Sequence, residues 1–367
     1  MAFMPVSRVR LKPSRSGLVP AAVKHLVRLS VSELGPFQRL VAVEDGRPLS
    51  ERAARIAVRE LSGQGLIQVR PQDTDRRQHL VFPAPGLVPA RSRPLLRGDH
   101  SLLAHCIASE IFVVLAERGA GSRFVFWDDM PDFAAELVPP RLPGFLCGVR
   151  GLPPASGRWL CGTAFSAAQA TRVFRLWSCA VHPLFPSDAS FALVLGRGSS
   201  VSYPDFSGAI AAVRPFRKRA RWCFVPEDGL SALGLLAGVP RLGESLAEAV
   251  GGFLGGAVLE RPVPGCPGGH VLRGRASSFL AIDLRAADLR ALLFLKDEVT
   301  LDALRALGCS GIFALVSSPA WARSLGAAVG PRDWLWYLVP AGSPPGPDAP
   351  APLRLLRLST TPSGGML

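Results

Sequence analysis

No run of about 18 consecutive apolar residues occurs in this chain of 367 residues, so no membrane-spanning helix is predicted. The N-terminus lacks the apolar segment of a secretory signal, and no acidic residue precedes Glu33. Cys106, Cys147, Cys161, Cys179, Cys223, Cys266 and Cys309 are odd in number, widely spaced and without a Cys-x-x-Cys pair. That spacing argues against a disulfide framework and leaves buried free thiols in a reducing compartment. No Gly-x-Ser-x-Gly element and no Gly-Lys-Ser/Thr phosphate loop is present, and no internal repeat is visible. Between Val138 and Pro226 the only acids are Asp188 and Asp205, and the only lysine is Lys218. Such a stretch cannot supply the converging carboxylates that hold a catalytic Mg²⁺.

Basic charge is what the chain has in excess. Lys and Arg number 42 against 28 Asp and Glu, a net charge of +14. Residues 1–97 alone carry 17 Lys and Arg against 7 Asp and Glu. A basic domain of this kind is an electrostatic footprint for nucleic acid. Residues 1–17 (with Arg8, Arg10, Lys12 and Arg15) read as a flexible basic arm; an organellar transit peptide has the same composition.

Residues 50–86 carry the most structure. Ser50 caps a helix in which Ala54, Ala57, Val58 and Leu61 follow i, i+3, i+4, i+7 spacing. At about 100° per residue, Arg52, Arg55 and Arg59 gather on the opposite face. Gly65 closes the helix, and the chain alternates from Leu66 to Arg70 as a strand. A polar turn holding Asp75, Arg76 and Arg77 follows, and His79–Phe82 returns as a second strand. Helices at Leu18–Leu29 and Ser32–Val43 precede this unit. Helix, hairpin and basic tip form the pattern of a winged helix-turn-helix. A helix fits the DNA major groove, where arginines reach guanine edges or phosphates. The same unit also serves as a protein–protein module.

The run GLIQVRPQDTDRRQHLVFPAPG resembles the wing of MarR-type regulators, in which a Gly-Leu-(Ile/Val) turn leads through a strand to an Asp-x-Arg tip and a second strand. The resemblance covers residues 20–86. It implies that Asp75 and Arg77, or Arg76, lie near DNA and that Arg52, Arg55 and Arg59 lie on the recognition helix; Arg70, at the end of the first strand, is a further DNA-binding candidate. The order of winged helix, linker, His-bearing helix and α/β domain resembles replication-relaxation proteins of plasmids and integrated elements. There the α/β part resembles a restriction-endonuclease-like fold. His100 or His105 and the strands at 145–149 and 159–163 occupy the matching places.

The expected fold is mixed α/β, an N-terminal winged helix-turn-helix followed by an α/β C-terminal region. Its segments are the arm 1–17, the winged helix 18–86, a Pro- and Arg-rich linker 87–97, α/β domains at 98–226 and 227–340, and a Pro/Gly-rich tail 341–367 with a Leu-rich stretch at Leu353–Leu358. The last α/β segment reads as a βαβ unit.

Other candidates carry weaker signals. Arg217, Lys218, Arg219 and Arg221, with Arg214, form a basic run interleaved with Phe216 and Trp222, suited to a second nucleic-acid contact or to a surface turn. Arg141, Arg150, Arg158, Arg172 and Arg175 suit phosphate and oppose cations. Asp128, Asp129, Asp132 and Glu136 have the composition of a cation site and of a solvated loop. Gly196–Ser200 could cradle phosphate or form a plain turn, and Cys266 with His270 lacks a second ligand pair.

The expected protein is therefore cytoplasmic and nucleoid-associated. It binds double-stranded DNA as a transcriptional regulator or as a replication-initiation or relaxation protein of a mobile element. A homodimer is left open. No catalytic residue, metal or cofactor is assigned. The alternatives are a metal-dependent nucleic-acid enzyme using Asp128, Asp129 and Asp283, or a protein-binding winged helix.

Overall fold

The structure is a computed structural model that describes residues 19–44, 50–71, 79–88, 99–126, 129, 145–151, 157–180, 189–197, 202–239, 245–253, 258–274, 277–330, 332–342 and 352–358. It is mixed α/β and divides into two compact units, Met1–Gly121 and Ser122–Leu367.

In the first unit, α1 (Ala21–Leu29) buries Ala22, Val23, Leu26 and Leu29 along one stripe. Ser30 ends it at φ 72°, with its N–H on the Leu26 carbonyl at 2.7 Å. The segment expected to be helical from Ser32 begins instead as a short strand, β1 (Ser32–Glu33), because it pairs antiparallel with Leu80 and Val81. The helix α2 (Leu34–Glu44) follows, with Pro36 in its first turn, where the missing N–H costs no helical bond. In α3 (Glu51–Gly63), the Ser50 hydroxyl accepts from the Ala53 N–H at 3.3 Å. Gly65 adopts φ 69°, a left-handed turn open to glycine, and leads into β2 (Ile67–Pro71). The strand β3 (His79–Pro83) returns antiparallel, and the sheet order is β1-β3-β2.

The helix α4 (Asp99–Ala116) belongs to this unit and not to the α/β domain expected from residue 98. Its sequence is apolar nearly all round, so it requires cover on most of its surface. Cys106 and Leu102 pack with Val31, Leu80 and Phe82. The Ser109 hydroxyl donates to Ser32 Oγ at 2.7 Å in a buried site. Arg39 of α2 pairs with Glu110 and, at 3.6 Å, with Glu117.

The second unit holds two six-stranded sheets. The first contains β4 (Phe124–Val125), β5 (Phe145–Arg150), β6 (Arg158–Ala164), β7 (Ala189–Leu195) and β8 (Arg221–Pro226). The second contains β9 (Val258–Pro262), β10 (Gly269–Arg273), β11 (Ser278–Asp283), β13 (Cys309–Leu315), β14 (Leu335–Pro340) and β15 (Leu353–Leu356). The two-residue strand β12 (Ala287–Asp288) lies in the chain between β11 and β13 but pairs with β8 in the first sheet. Strand orders are β12-β8-β7-β6-β5-β4 and β15-β14-β13-β11-β10-β9.

These two orders are one topology used twice, although the sequence shows no repeat. Each sheet begins with three antiparallel strands, β4-β5-β6 or β9-β10-β11. Each continues with two parallel strands, β7-β8 or β13-β14. Each closes on an antiparallel edge strand, β12 or β15. Crossover helices α5 (Ala167–Ala180) and α6 (Ser207–Val213) serve the first sheet. The helix α7 (Ala232–Leu236) follows β8, and α8 (Leu246–Phe253) precedes β9. Beyond β12 come α9 (Leu289–Leu293), then α10 (Leu301–Ala306) and the βαβ crossover α11 (Pro319–Val329) of the second sheet.

Phe-Ala-Leu-Val occurs at 191–194 and again at 313–316, but out of phase. Phe191 and Leu193 face the crossover helices, whereas Phe313 and Leu315 lie on the opposite face with Leu246 and Val250. A one-residue slip reverses every side chain of a strand. The repetition is one of topology, not of sequence.

Apart from β12, the strands of the two sheets fall before and after the boundary expected at 226/227, and the sheets share one core. One apolar cluster takes Phe191 and Trp222 from the first sheet, Ile282, Ile312 and Tyr337 from the second, and Phe174, Trp177 and Trp321 from the helices. Asp288 of β12 fastens the crossing. Its carboxylate accepts from Arg221 Nε at 2.8 Å and from the Arg290 N–H at 2.9 Å, and it is 7% exposed. Asp288→Ala removes an ion pair and a helix cap together. With Arg221 39% exposed, the pair is partly screened. The expected loss is about 2 kcal/mol, read as a lower urea midpoint. A change below about 0.5 kcal/mol, the size usual at the surface, would show that β12 is not held by this pair.

Candidate nucleic-acid interface

The helix α3 divides its residues sharply. Ala54, Ala57, Val58 and Leu61 are each 4% exposed, while Arg52, Arg55 and Arg59 lie on the solvent side. Small alanines at two of the buried positions let α3 approach its neighbours closely. The arginine face is therefore fixed by burial of the other face. Ile56 projects from the arginine side and is 41% exposed. Arg70 is also exposed. Its Nη2 donates to Gln68 Oε1 at 2.6 Å, and its guanidinium lies 5.6 Å from the Phe82 ring centroid. Asp75, Arg76 and Arg77 lie outside the described residues, in the segment that joins β2 to β3.

Two histidines sit in the packing of this unit. Of the pair weighed on α4, His105 is described; the His100 side chain lies outside the described residues. Burial lowers the pKa of His105 below its ordinary 6.5, opposed by a hydrogen bond to the Leu29 backbone. Burial, aided by Arg28, also lowers that of His25, whose ring lies 4.6 Å from Phe112. Its Nε2 is 3.6 Å from Glu44 Oε1, a contact that is an ion pair only when the imidazole is protonated.

The basic run of the second unit is reduced by the fold. Arg217, Lys218 and Arg219 are exposed, but Arg221 is directed to Asp288 and lies 5.2 Å from the Trp159 ring. Trp222 is 1% exposed and stacks on Phe191 at 4.5 Å, and Phe216 packs against the apolar cluster. The aromatics weighed for stacking thus pack inward, Trp222 in the core and half-buried Phe216 at its edge. Arg172 and Arg175, with Thr171, line a groove of about 470 Å³ between α5 and α6.

The remaining candidates have structural explanations where they are described. A side chain at Gly196 would strike the Phe165 ring at 2.3 Å, so this glycine serves packing; residues 198–200 lie outside the described set. Cys266 is buried in a tight turn, and burial pushes its thiol up to about 12. Six of the seven thiols are buried, Cys179 being exposed. Of the acidic cluster only Asp129 is described, and it is exposed; Asp128, Asp132 and Glu136 lie outside. Among the described residues no group of three His, Cys, Asp or Glu could hold a metal ion, and no helix is long and apolar enough to cross a membrane.

One cluster is not foreshadowed by the sequence. At the carboxyl ends of β7, β8 and β13, Arg197 pairs with Asp228, and its guanidinium lies 4.9 Å from the Tyr203 ring. Ser317 Oγ donates to Asp228 Oδ1 at 2.8 Å, and Glu227 Oε2 accepts from the Arg197 N–H at 3.0 Å. The only signal in the residues is that Glu227 and Asp228 end a long acid-poor stretch.

The chain matches no model of a known protein family, no curated protein and no solved structure.

The two histidines set a pH dependence in the first unit. Folded imidazoles with lowered pKa take protons less readily than unfolded ones, so their contribution is complete above 6.5 and declines as pH falls below it. Amide-exchange protection of α1 and α4, corrected for intrinsic rates, is expected to drop below pH 6.5. In His25→Gln/His105→Gln the drop is expected to flatten; an unchanged profile would assign it to other groups.

Proposed function

We propose that residues 18–86 form a winged helix-turn-helix that binds double-stranded DNA, with α3 as the recognition helix and the β2–β3 hairpin as the wing. The observation that carries this reading is the exposed face of α3, where Arg52, Arg55 and Arg59 stand opposite the buried stripe. Arginines so placed donate to guanine O6 and N7 or to phosphate oxygens. Arg70, Arg76 and Arg77 would set the wing against the backbone, fixing register without reading sequence. The role is that of a transcriptional regulator or of a replication-type protein of a mobile element.

Binding rather than cleavage is proposed for the second unit. Several of its described carboxylates are engaged by arginine: Asp283 by Arg285, Asp288 by Arg221, Asp228 by Arg197 and Asp297 by Arg214. Cations already seated on these groups compete with Mg²⁺ for them.

Arg55→Ala is expected to weaken specific duplex binding by about 1–3 kcal/mol if it meets a base edge. An arginine that instead neutralises one phosphate is expected, on replacement by alanine, to reduce the slope of log affinity against log salt by about 0.9. Unchanged binding by the Arg52/Arg55/Arg59 triple alanine variant would remove α3 from the interface. With supercoiled plasmid and Mg²⁺ or Mn²⁺, no nicking is expected; nicking abolished by replacing Asp128 and Asp129 would place a catalytic centre in that loop.

A further inference from the structure

Among the described residues only three large apolar side chains are exposed: Ile56, Leu301 and Leu355. Ile56 differs in its surroundings. Arg52 lies one turn before it on α3 and Arg59 nearly one turn after, with Arg55 beside it, so this branched apolar side chain is embedded in a cationic face. The stripe that holds α3 to its own unit is filled by Ala54, Ala57, Val58 and Leu61 and has no place for it. A cationic surface disfavours a purely apolar protein patch as its partner and favours a polyanion that offers an apolar group between its charges. Duplex DNA has such a group in the major groove, the 5-methyl of thymine.

We propose that Ile56 is a specificity-determining residue that contacts a thymine 5-methyl group, flanked by the positions where Arg52, Arg55 and Arg59 meet guanine edges or phosphates. The inference rests on the reading of α3 as a recognition helix. It adds the chemistry of one base in the site. The contact discriminates through the methyl alone, because uracil presents the same O4 acceptor and differs only in that carbon.

The test uses the full chain. A random-sequence duplex library is selected for binding, and the enriched duplex is resynthesised with each thymine replaced singly by deoxyuracil. One replacement is expected to weaken binding about fourfold, the equivalent of about 0.8 kcal/mol for one buried carbon. Ile56→Ala is expected to bind the thymine duplex several-fold more weakly and to be indifferent to that replacement, while Ile56→Val retains part of the sensitivity. If no replacement weakens binding, or if the sensitivity persists undiminished in Ile56→Ala, the assignment of Ile56 is overturned while DNA binding stands. If no duplex is bound, the recognition-helix reading falls and the inference falls with it. If Ile56→Ala instead abolishes self-association and leaves DNA affinity unchanged, the side chain faces a second copy of the chain and the proposal is wrong.

Discussion

The apolar interior shared by the two six-stranded sheets is the constraint on which the second unit depends. Its centre is aromatic: Phe191 stacks on Trp222, Phe206 on Trp321 at 5.4 Å, and Phe174 meets both Trp177 and Trp222. Buried indoles need partners for their N–H groups. Trp222 donates to the Phe216 carbonyl at 3.3 Å and Trp321 to that of Leu284 at 2.7 Å. Those bonds orient the rings and tie helix ends and turns to the sheets. With the sheets so fixed, the ends of β7, β8 and β13 come close enough for Arg197, Asp228 and Ser317 to join.

Arginine has two occupations here, and composition alone does not separate them. In the second unit Arg197, Arg214, Arg221 and Arg285 each meet a carboxylate. In the first, Arg52 and Arg59 project into solvent from a helix whose other face is buried. The surplus of basic charge in residues 1–97 marks the part of the chain that holds this face, but only periodicity distinguishes a cationic surface from a set of internal ion pairs.

What can be read from the residues is local. The α3 cap and stripe, the β2–β3 hairpin and the β13–α11–β14 unit depend on neighbours within a few turns, and each lies close to where periodicity places it. What cannot be read is long-range. The strand β1 is two residues long and exists only because Leu80 and Val81 pair with it. The apolar run of α4 announces burial without naming the surface that covers it. The strands β9 and β10 are hidden by the Pro- and Gly-rich turn between them, in which Gly265 and Gly268 adopt φ of 80° and 73°. Trp222 is open to two readings because a tryptophan in the core and one on a binding surface are the same letter.

The strand β12 bears on the order in which the protein can be made. The first sheet is written by residue 226, yet its edge is closed only by residues 287 and 288. If the first sheet forms while the intervening segment is still being made, β8 has an unpaired edge and Arg221 lacks Asp288. Open edges of this kind recruit other chains. A chain cut short of Ala287 therefore has every strand of its first sheet except the closing one and exposes the β8 edge at Cys223 and Phe224, the kind of edge that recruits other chains.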